Sequence, residues 1–229
     1  MTKPFPLSPR RGWLLAVPLL LMVLALAACS GEPQFRGNVL EPHRDTLDFS
    51  LPDQWGNSTS LQEMNGRVVV LTFLYTSCPD LCPLTMGKMR SAYDLLGEDA
   101  SKVEIVIVTV DPERDNAKVA LEYLTSWGLE SEWRFLVGDA NSLGPLWDYY
   151  WVGQPFVEQT GGATFDQRIK LAAEEQGIDE AELAKEAGAY TVGHTAPIHL
   201  INKEGRVQVV FGSTFTPAQL ASDIQALLG

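Results

Sequence analysis

One stretch decides the fold of this chain: VVVLTFLYTSCPDLCP, residues 68–83. Its first seven residues are nearly all apolar, which predicts a strand buried on both faces of a sheet. Two cysteines follow, Cys78 and Cys82, and apolar residues then recur at helical spacing from Leu84 to Leu96. Residues four apart on a helix share one face, with Cβ atoms about 5–6 Å apart. The two sulfurs can therefore converge on a shared ion without bonding to each other.

A strand that ends in a cysteine pair and opens into a helix is the layout of a thioredoxin-like active site. Thioredoxins carry two residues between the cysteines, whereas this chain carries three. Soft thiolates select Cu(I), zinc or iron–sulfur clusters, and a pair alone does not complete a metal site. A third ligand is therefore expected elsewhere in the chain. In an oxidising compartment the two thiols could also form a disulfide, but a purely structural one would close a very short loop and add little stability.

The N-terminal segment has the features of an export signal. Basic residues precede the apolar stretch 13–28, and the sequence LAAC at 26–29 is similar to a bacterial lipobox. We therefore expect a lipoprotein signal peptide over 1–28, lipidation of Cys29 and a tether over 29–45. The mature protein would be exported and lipid-anchored at the extracytoplasmic face of a bacterial membrane. An uncleaved anchor helix, or an ordinary signal with an incidental cysteine, stays open as an alternative.

The composition is that of an acidic globular protein. The 229 residues are 45 % hydrophobic and 20 % charged, with a formal net charge of −12. Removing residues 1–28 takes away three positive charges and no negative ones, so the net charge falls from −12 to −15. Such a charge argues against binding to nucleic acid or to anionic lipid surfaces. It favours a basic partner, or it simply keeps the domain soluble beside a membrane.

Strands and helices alternate along the chain, which predicts an α/β fold around a mostly parallel sheet flanked by helices. The domain is expected over residues 46–229. A hairpin is predicted around Gly205, and Thr216 is the expected N-cap of a last helix. Residues 153–190 do not fit the alternation of strands and helices. Their sequence predicts a helical insertion that Gly177 divides into two short helices. The predicted strands before it are 68–74, 103–110 and 133–137.

Three histidines are candidates for the third ligand. His43 lies in the predicted tether, and His199 lies inside an alternating strand, where a structural role is expected. His194 lies in a loop that enters a strand, and in thioredoxin-like folds this loop faces the cysteine-bearing turn. Two thiolates and one imidazole suit Cu(I), whereas Zn²⁺ would require a fourth ligand. Met86 and Met89 offer further soft sulfur, but their helical spacing predicts core packing.

The motifs together identify a family resemblance. The stretch 73–83 contains C-P-D-x-C-P, and residues 109–115 read TVDPERD. With His194 ahead of a strand, this combination resembles the Sco/SenC copper proteins, over roughly residues 37–152 and 191–229. The resemblance implies a thioredoxin-like fold, membrane tethering and a copper ion held by Cys78, Cys82 and His194. It also implies help in metallating the binuclear copper centre of cytochrome c oxidase, whose copper-bearing subunit, or another cuproprotein, would be the partner.

The chain departs from the family pattern at two positions near the histidine. Gly193 stands where family members usually carry an aspartate that orients the imidazole. Pro197 is similar to the proline of thioredoxins, where a cis proline packs against the redox pair. Asp80 either tunes the cysteine loop electrostatically or is an ordinary exposed aspartate of a turn. Asp111 is open in the same way, because an aspartate before a proline at a strand end is ordinary turn chemistry.

The leading functional hypothesis is a membrane-anchored copper chaperone, a carrier rather than an enzyme. The alternatives are a thiol–disulfide reductase that keeps the oxidase cysteines reduced, with Cys78 and Cys82 as its redox pair, and a redox or copper sensor. All three need the same two cysteines, so the sequence does not separate them.

Overall fold

The computed structural model describes residues 34–159, 163–188 and 190–229. The predicted signal peptide over 1–28 and the predicted lipidation site Cys29 lie outside these ranges. In the described part of the chain, no helix combines the length and the hydrophobicity needed to cross a membrane.

The described residues alternate between strands and helices. The strands are β1 (Asn38–Asp45), β2 (Ser50–Pro52), β3 (Ser58–Ser60), β4 (Val68–Leu74), β5 (Val103–Thr109), β6 (Trp133–Leu136), β7 (Phe156–Gln159), β8 (Tyr190–Gly193), β9 (Ile198–Ile201) and β10 (Arg206–Phe211). The helices are α1 (Leu81–Leu96), α2 (Ala117–Trp127), α3 (Ala140–Tyr149), α4 (Ala163–Gln176), α5 (Glu180–Ala187) and α6 (Pro217–Leu228).

A central sheet has the strand order β1-β10-β9-β4-β5-β6. Strands β4, β5 and β6 pair in parallel, and β9 joins β4 in the antiparallel direction. Because β10 is antiparallel to β9, four of the six strands point the same way. The predicted thioredoxin-like α/β class with a mostly parallel sheet is confirmed, although the half of the sheet beyond β4 is antiparallel.

Strand β4 occupies the middle of the sheet, and all seven of its residues are buried. This explains its near-continuous apolar sequence, since both of its faces are covered. The chain leaves β4 through the cysteine loop and enters α1, where Asp80 caps the first turn by accepting from the Leu81 amide. Helix α1 thus begins at Leu81, earlier than the predicted Leu84, and brings Cys82 into its first turn.

The predicted tether is wrong for its last residues. Asn38–Asp45 form the edge strand β1, which pairs with β10. The backbone amides of Arg36 and Gly37 donate to the buried carboxylate of Asp223 at 2.8 to 2.9 Å. These hydrogen bonds fix the chain just before β1. The sequence did not show a strand because an exposed edge carries charges and a proline rather than an alternating apolar pattern.

The predicted insertion contains the two helices expected on either side of Gly177, α4 and α5. They pack on each other through a small apolar cluster separate from the main core, and Asp179 caps α5. Two strands that flank these helices, β7 and β8, were also not predicted, and they pair with each other outside the central sheet. The cluster consists of Ile169, Ala172, Ala173, Leu183 and Ala187.

Candidate metal centre

The two cysteines lie at the carboxyl end of β4, and both are free thiols in the described structure. Cys78 is 8 % exposed and Cys82 is 1 % exposed. Burial raises the pKa of the Cys82 thiol, and the neighbouring Cys78 raises that pKa further. Cys82 therefore keeps its proton until a cation offsets the negative charge of two adjacent sulfurs.

Asp80 accepts from both ends of the cysteine loop. The Cys78 thiol lies 3.3 Å from its Oδ1 atom, and the Leu81 amide donates to the same oxygen. Its second oxygen accepts from Arg168 of α4 at 3.0 and 3.2 Å. The aspartate is therefore an organising residue of the loop, which goes beyond the turn chemistry that the sequence suggested.

The TVDPERD motif forms hydrogen bonds to the backbone and side chain just before the cysteine motif. Asp115, the last residue of TVDPERD, is buried and accepts from the hydroxyls of Thr76 and Thr109 at 2.6 Å each. The Thr76 amide also donates to this carboxylate at 3.3 to 3.4 Å. Burial raises the pKa of Asp115, although these hydrogen bonds lower it. The carboxylate is buried at an electrostatic cost and fixes the backbone just before Cys78.

The same motif also connects to the inserted segment. Asp111 forms an ion pair with Arg114 and accepts from the Tyr190 hydroxyl at 2.9 Å. The guanidinium of Arg114 donates to the carbonyl oxygens of Ala187 and Tyr190, each at 2.9 Å. It also stacks over the Tyr190 ring at 3.8 Å. Asp111 and Arg114 therefore hold the end of α5 and the start of β8 against the loop after β5.

His194 follows β8 and is partly buried beside the cysteine loop. Its Nδ1 atom lies 2.8 Å from the Thr195 carbonyl oxygen, and its ring packs edge-on against Tyr75 at 5.8 Å. Burial lowers the pKa of His194, whereas the negative charge of Asp80 raises it. The imidazole is therefore neutral at neutral pH, which is the form that binds a metal ion.

Tyr75 links the two parts of the candidate centre. The fully buried phenol lies near the two cysteines, whose charges act on it, and it accepts from the Val192 amide of β8 at 3.1 Å. Burial and the nearby cysteine charges raise the pKa of Tyr75 far above its usual range, so the phenol stays protonated. One side chain thus touches the cysteine loop, strand β8 and the His194 ring.

Gly193 is explained by its partner on β7. A Cβ atom at this position would lie 2.2 Å from the Phe156 ring, which covers the glycine. An aspartate here would therefore collide with that ring. The acidic group whose charge acts on His194 is instead Asp80, on the cysteine loop.

The other sequence candidates lie where packing explains them. His199 is buried in β9, where its Nε2 atom lies 2.9 Å from the Tyr150 carbonyl oxygen, and burial lowers its pKa to about 4. His43 lies on the edge strand β1. Met86 and Met89 are buried in the main core, as predicted. The peptide bond before Pro197 is trans, so the thioredoxin-type cis proline is not present.

The three predicted ligands are neighbours but do not form a ready-made cluster. Among the residues that the structure describes, no three His, Cys, Asp or Glu side chains are close enough to hold a metal ion. Residues of both the cysteine loop and the His194 loop line a cavity of about 490 Å³, among them Asp80, Leu81, Phe156, Arg168 and His194. A larger cavity of about 770 Å³ lies at the start of β5 and β6 and contains no cysteine or histidine.

Comparison with known proteins decides the family. The SCO1/SenC family model matches residues 39–166, which is more than half of the chain. The chain belongs to the SCO1/SenC family. A "Putative copper-binding protein" from Stutzerimonas stutzeri is 26 % identical over 198 residues, covering 82 % of this chain and 83 % of that relative. The family predicted from the cysteine and TVDPERD motifs is thereby confirmed.

Solved structures of SCO1/SenC proteins share the fold. The copper-bound ScoI of Bradyrhizobium japonicum is 26 % identical with a TM-score of 0.59, covering 80 % of this chain and 99 % of its own. BsSco, described as a member of the Sco family of cytochrome c oxidase assembly proteins with a disulfide switch, is 20 % identical with a TM-score of 0.54. That alignment covers 83 % of this chain and 96 % of BsSco.

Sequence reasoning missed four residues that shape the site. Tyr75 and Asp115 lie inside the quoted motifs, so their positions were visible but their contacts were not. Arg168 and Gln176 lie on α4, about ninety residues after the cysteines, where only a Glu- and Ala-rich helical pattern is seen. No sequence signal identifies them, because their partners are set by how the inserted helix packs.

Proposed function

We propose that this chain is a copper chaperone that holds one copper ion with Cys78, Cys82 and His194. The observation that carries the proposal is the pair of buried, free thiols at the end of the central strand. The His194 ring lies beside the same loop and packs on Tyr75, which precedes Cys78 by three residues. Two soft sulfurs and an imidazole are a ligand set that suits Cu(I).

The protonation states of these groups fit the binding of a cation. Burial keeps the pKa of His194 low, so its imidazole is available as a neutral ligand. The pKa of Cys82 is raised, so this thiol releases its proton when the ion arrives and not before. Copper binding is therefore expected to release protons and to tighten as the pH rises.

The separation of the two sulfurs from the imidazole fits a carrier. His194 follows β8, which pairs with β7 outside the central sheet. The ion would bind first to the thiol pair, and the His194 loop would close on it as the third ligand. The His194 imidazole would then also be the ligand that leaves first. A side chain of the receiving protein could take its place on the ion while the buried cysteines stay where they are.

The recipient proposed here is the binuclear copper site of cytochrome c oxidase, or a similar copper site in another cuproprotein. BsSco, which shares this fold, is assigned to a family of oxidase assembly proteins. Leu81 and Phe156, which are 48 % and 58 % exposed, provide apolar surface beside the ligands where a partner can dock. The acidic charge of the chain favours a recipient with a basic face.

The anchor is part of the proposal. Lipidation of Cys29 after removal of residues 1–28 would place the copper domain at the extracytoplasmic face of a bacterial membrane. Cys29→Ala should leave the protein without lipid and with its signal peptide attached, as measured by mass spectrometry of the protein from cells. An unmodified Cys29, or a mature N-terminus elsewhere, would contradict this assignment.

Copper titration of the reduced protein lacking residues 1–29 tests the binding step. One Cu(I) per chain is expected, with competition against a chromophoric chelator giving the affinity. Binding of two or more ions with similar affinity, or none, would exclude the three-ligand site.

A second candidate function rests on the unequal exposure of the thiols. Cys78 is more exposed than Cys82, as the attacking and resolving cysteines of a thiol–disulfide reductase would be. His194→Ala separates the two functions, because a reductase does not need the imidazole. A chaperone should then fail to support oxidase assembly when copper is scarce, while it still reduces a model disulfide.

A further inference from the structure

The helix α4 contacts the cysteine loop through a charged pair. Arg168 donates from two nitrogens to one oxygen of Asp80, at 3.0 and 3.2 Å. Both side chains are mostly buried, with 25 % and 17 % exposure, so solvent screens this ion pair less than it screens a surface pair. The pair holds the residue that lies between the two cysteines and that itself contacts the Cys78 thiol.

A second contact holds the neighbouring loop residue. The Gln176 side chain donates to the Pro79 carbonyl oxygen at 2.7 Å. Gln176 and Arg168 are eight residues apart, which places them on one face of α4 and about 12 Å apart along its axis. The helix therefore grips two successive residues of the cysteine loop, Pro79 and Asp80.

The side of α4 that does not face the cysteine loop is also held by contacts. Its apolar face packs on α5 in the separate cluster, and Arg114 of the second motif holds the end of α5 through the Ala187 carbonyl oxygen. The family match ends at residue 166, so both contact residues of α4 lie beyond it. The grip is thus a feature of the inserted segment in this chain.

We propose that α4 is a clamp on the cysteine loop, in which Arg168 and Gln176 are positioning residues that limit how often the Cys78 thiol becomes accessible. Release of the clamp lets the loop open locally, so that a reagent, a partner thiol or a copper donor can reach the sulfur. The role in copper exchange rests on the proposed function, whereas the clamp itself concerns the metal-free protein.

Alkylation of the metal-free, fully reduced full-length chain tests the clamp. Iodoacetamide is neutral, and peptide mass spectrometry follows Cys78 separately from the other cysteines. Gln176→Ala removes one hydrogen bond without changing any charge. It should accelerate alkylation of Cys78 by about threefold to tenfold, the effect of losing one hydrogen bond on a local opening equilibrium.

Arg168→Gln should also accelerate the reaction when rates are compared at full ionisation of the thiol, from a pH profile. This correction is needed because loss of a positive charge lowers the thiolate fraction at a given pH. Both contact residues lie outside the two apolar clusters, so the circular dichroism spectrum and the melting temperature should match those of the controls.

Matched controls exist on the same helix. Gln167→Ala makes the same side-chain change as Gln176→Ala, and Lys170→Gln removes one positive charge, both at exposed positions. Both should leave the alkylation rate within about twofold of the parent. Rates for Gln176→Ala and Arg168→Gln equal to these controls would overturn the clamp. A slower reaction for Arg168→Gln with an unchanged rate for Gln176→Ala would also overturn it, and would show that Arg168 acts only through its charge. Failure of the copper proposal would appear in the titration and would leave these rates unaffected.

Discussion

The cysteine side and the histidine side of the candidate centre are held in different ways. Cys78 and Cys82 follow a strand whose seven residues are all buried, and Asp115 anchors the backbone just before them. His194 follows β8, a four-residue strand paired only with β7 within the described structure. The thiols are therefore fixed by the core, whereas the imidazole depends on a small sheet at the edge of the inserted segment.

This difference assigns different tasks to the two sides. A ligand that the core holds loses little entropy on binding an ion, so it is expected to set the affinity. A ligand on a peripheral loop can leave at a smaller cost, so it is expected to set the ease of transfer. The following measurements test that division, from the largest expected effect to the smallest.

Loss of a core-held sulfur should have the largest effect. Cys82→Ala should weaken Cu(I) binding by more than about a hundredfold, since even residues behind the ligands typically account for tenfold to a hundredfold. Chelator competition measures the affinity, and His43→Ala on the edge strand is the control. Affinity at the parent level in Cys82→Ala would remove the cysteine side from the site.

Loss of the buried Asp115 carboxylate, which holds the backbone before Cys78, should destabilise the fold. Asp115→Ala leaves the hydroxyls of Thr76 and Thr109 without this acceptor, which should lower the free energy of unfolding by about 2–3 kcal/mol. Urea denaturation measures the change, and Glu113→Ala in the same turn is an exposed acidic control. If both variants unfold alike, the carboxylate does not anchor the loop.

The buried histidine of the central sheet should make stability depend on pH. The pKa of His199 is about 4 in the fold, below the usual 6.5, so the unfolded chain binds more protons between these values. Its contribution to stability is complete above about pH 6.5 and is lost as the pH falls toward 4. The loss between pH 7 and pH 5 should be about 2 kcal/mol. Urea denaturation of His199→Gln at both pH values should show a smaller difference, and an equal difference would assign the effect to other groups.

Loss of the peripheral ligand should cost less than loss of a sulfur. His194→Ala should weaken Cu(I) binding by about tenfold and speed its transfer to a chelator, because the remaining thiol pair stays in place. The Cu(II) complex should also change its absorption spectrum. A loss of affinity as large as that of Cys82→Ala would break the proposed division between the two sides.

The smallest effect is expected at the glycine beside the histidine. Gly193→Asp should destabilise the fold by about 1 kcal/mol, since the new side chain displaces an exposed Phe156 ring rather than a buried one. Thermal unfolding of the variant in a Phe156→Ala background should show that this cost has disappeared. Persistence of the full cost there would mean that the ring is not the cause.

The sequence by itself determined the family, the central strand, the cysteine pair and most helices. These features depend on local patterns: an apolar run gives a buried strand, i, i+4 spacing gives a shared helical face, and Thr216 caps α6 as expected. The sequence also predicted the two inserted helices, because helical periodicity and a dividing glycine at Gly177 are local signals. The edge strand β1 and the strands β7 and β8 were not predicted, since short or exposed strands carry little pattern of their own.

Only the tertiary structure decided how the candidate centre is supported. The Thr76–Asp115, Asp80–Arg168 and Pro79–Gln176 contacts join residues between 39 and 97 positions apart in the chain. The need for Gly193 follows from a ring on the neighbouring strand, and the place of the His194 ring against Tyr75 follows from the packing of β8. A one-dimensional pattern records what each residue can do, but which groups meet depends on the folding of distant segments against one another.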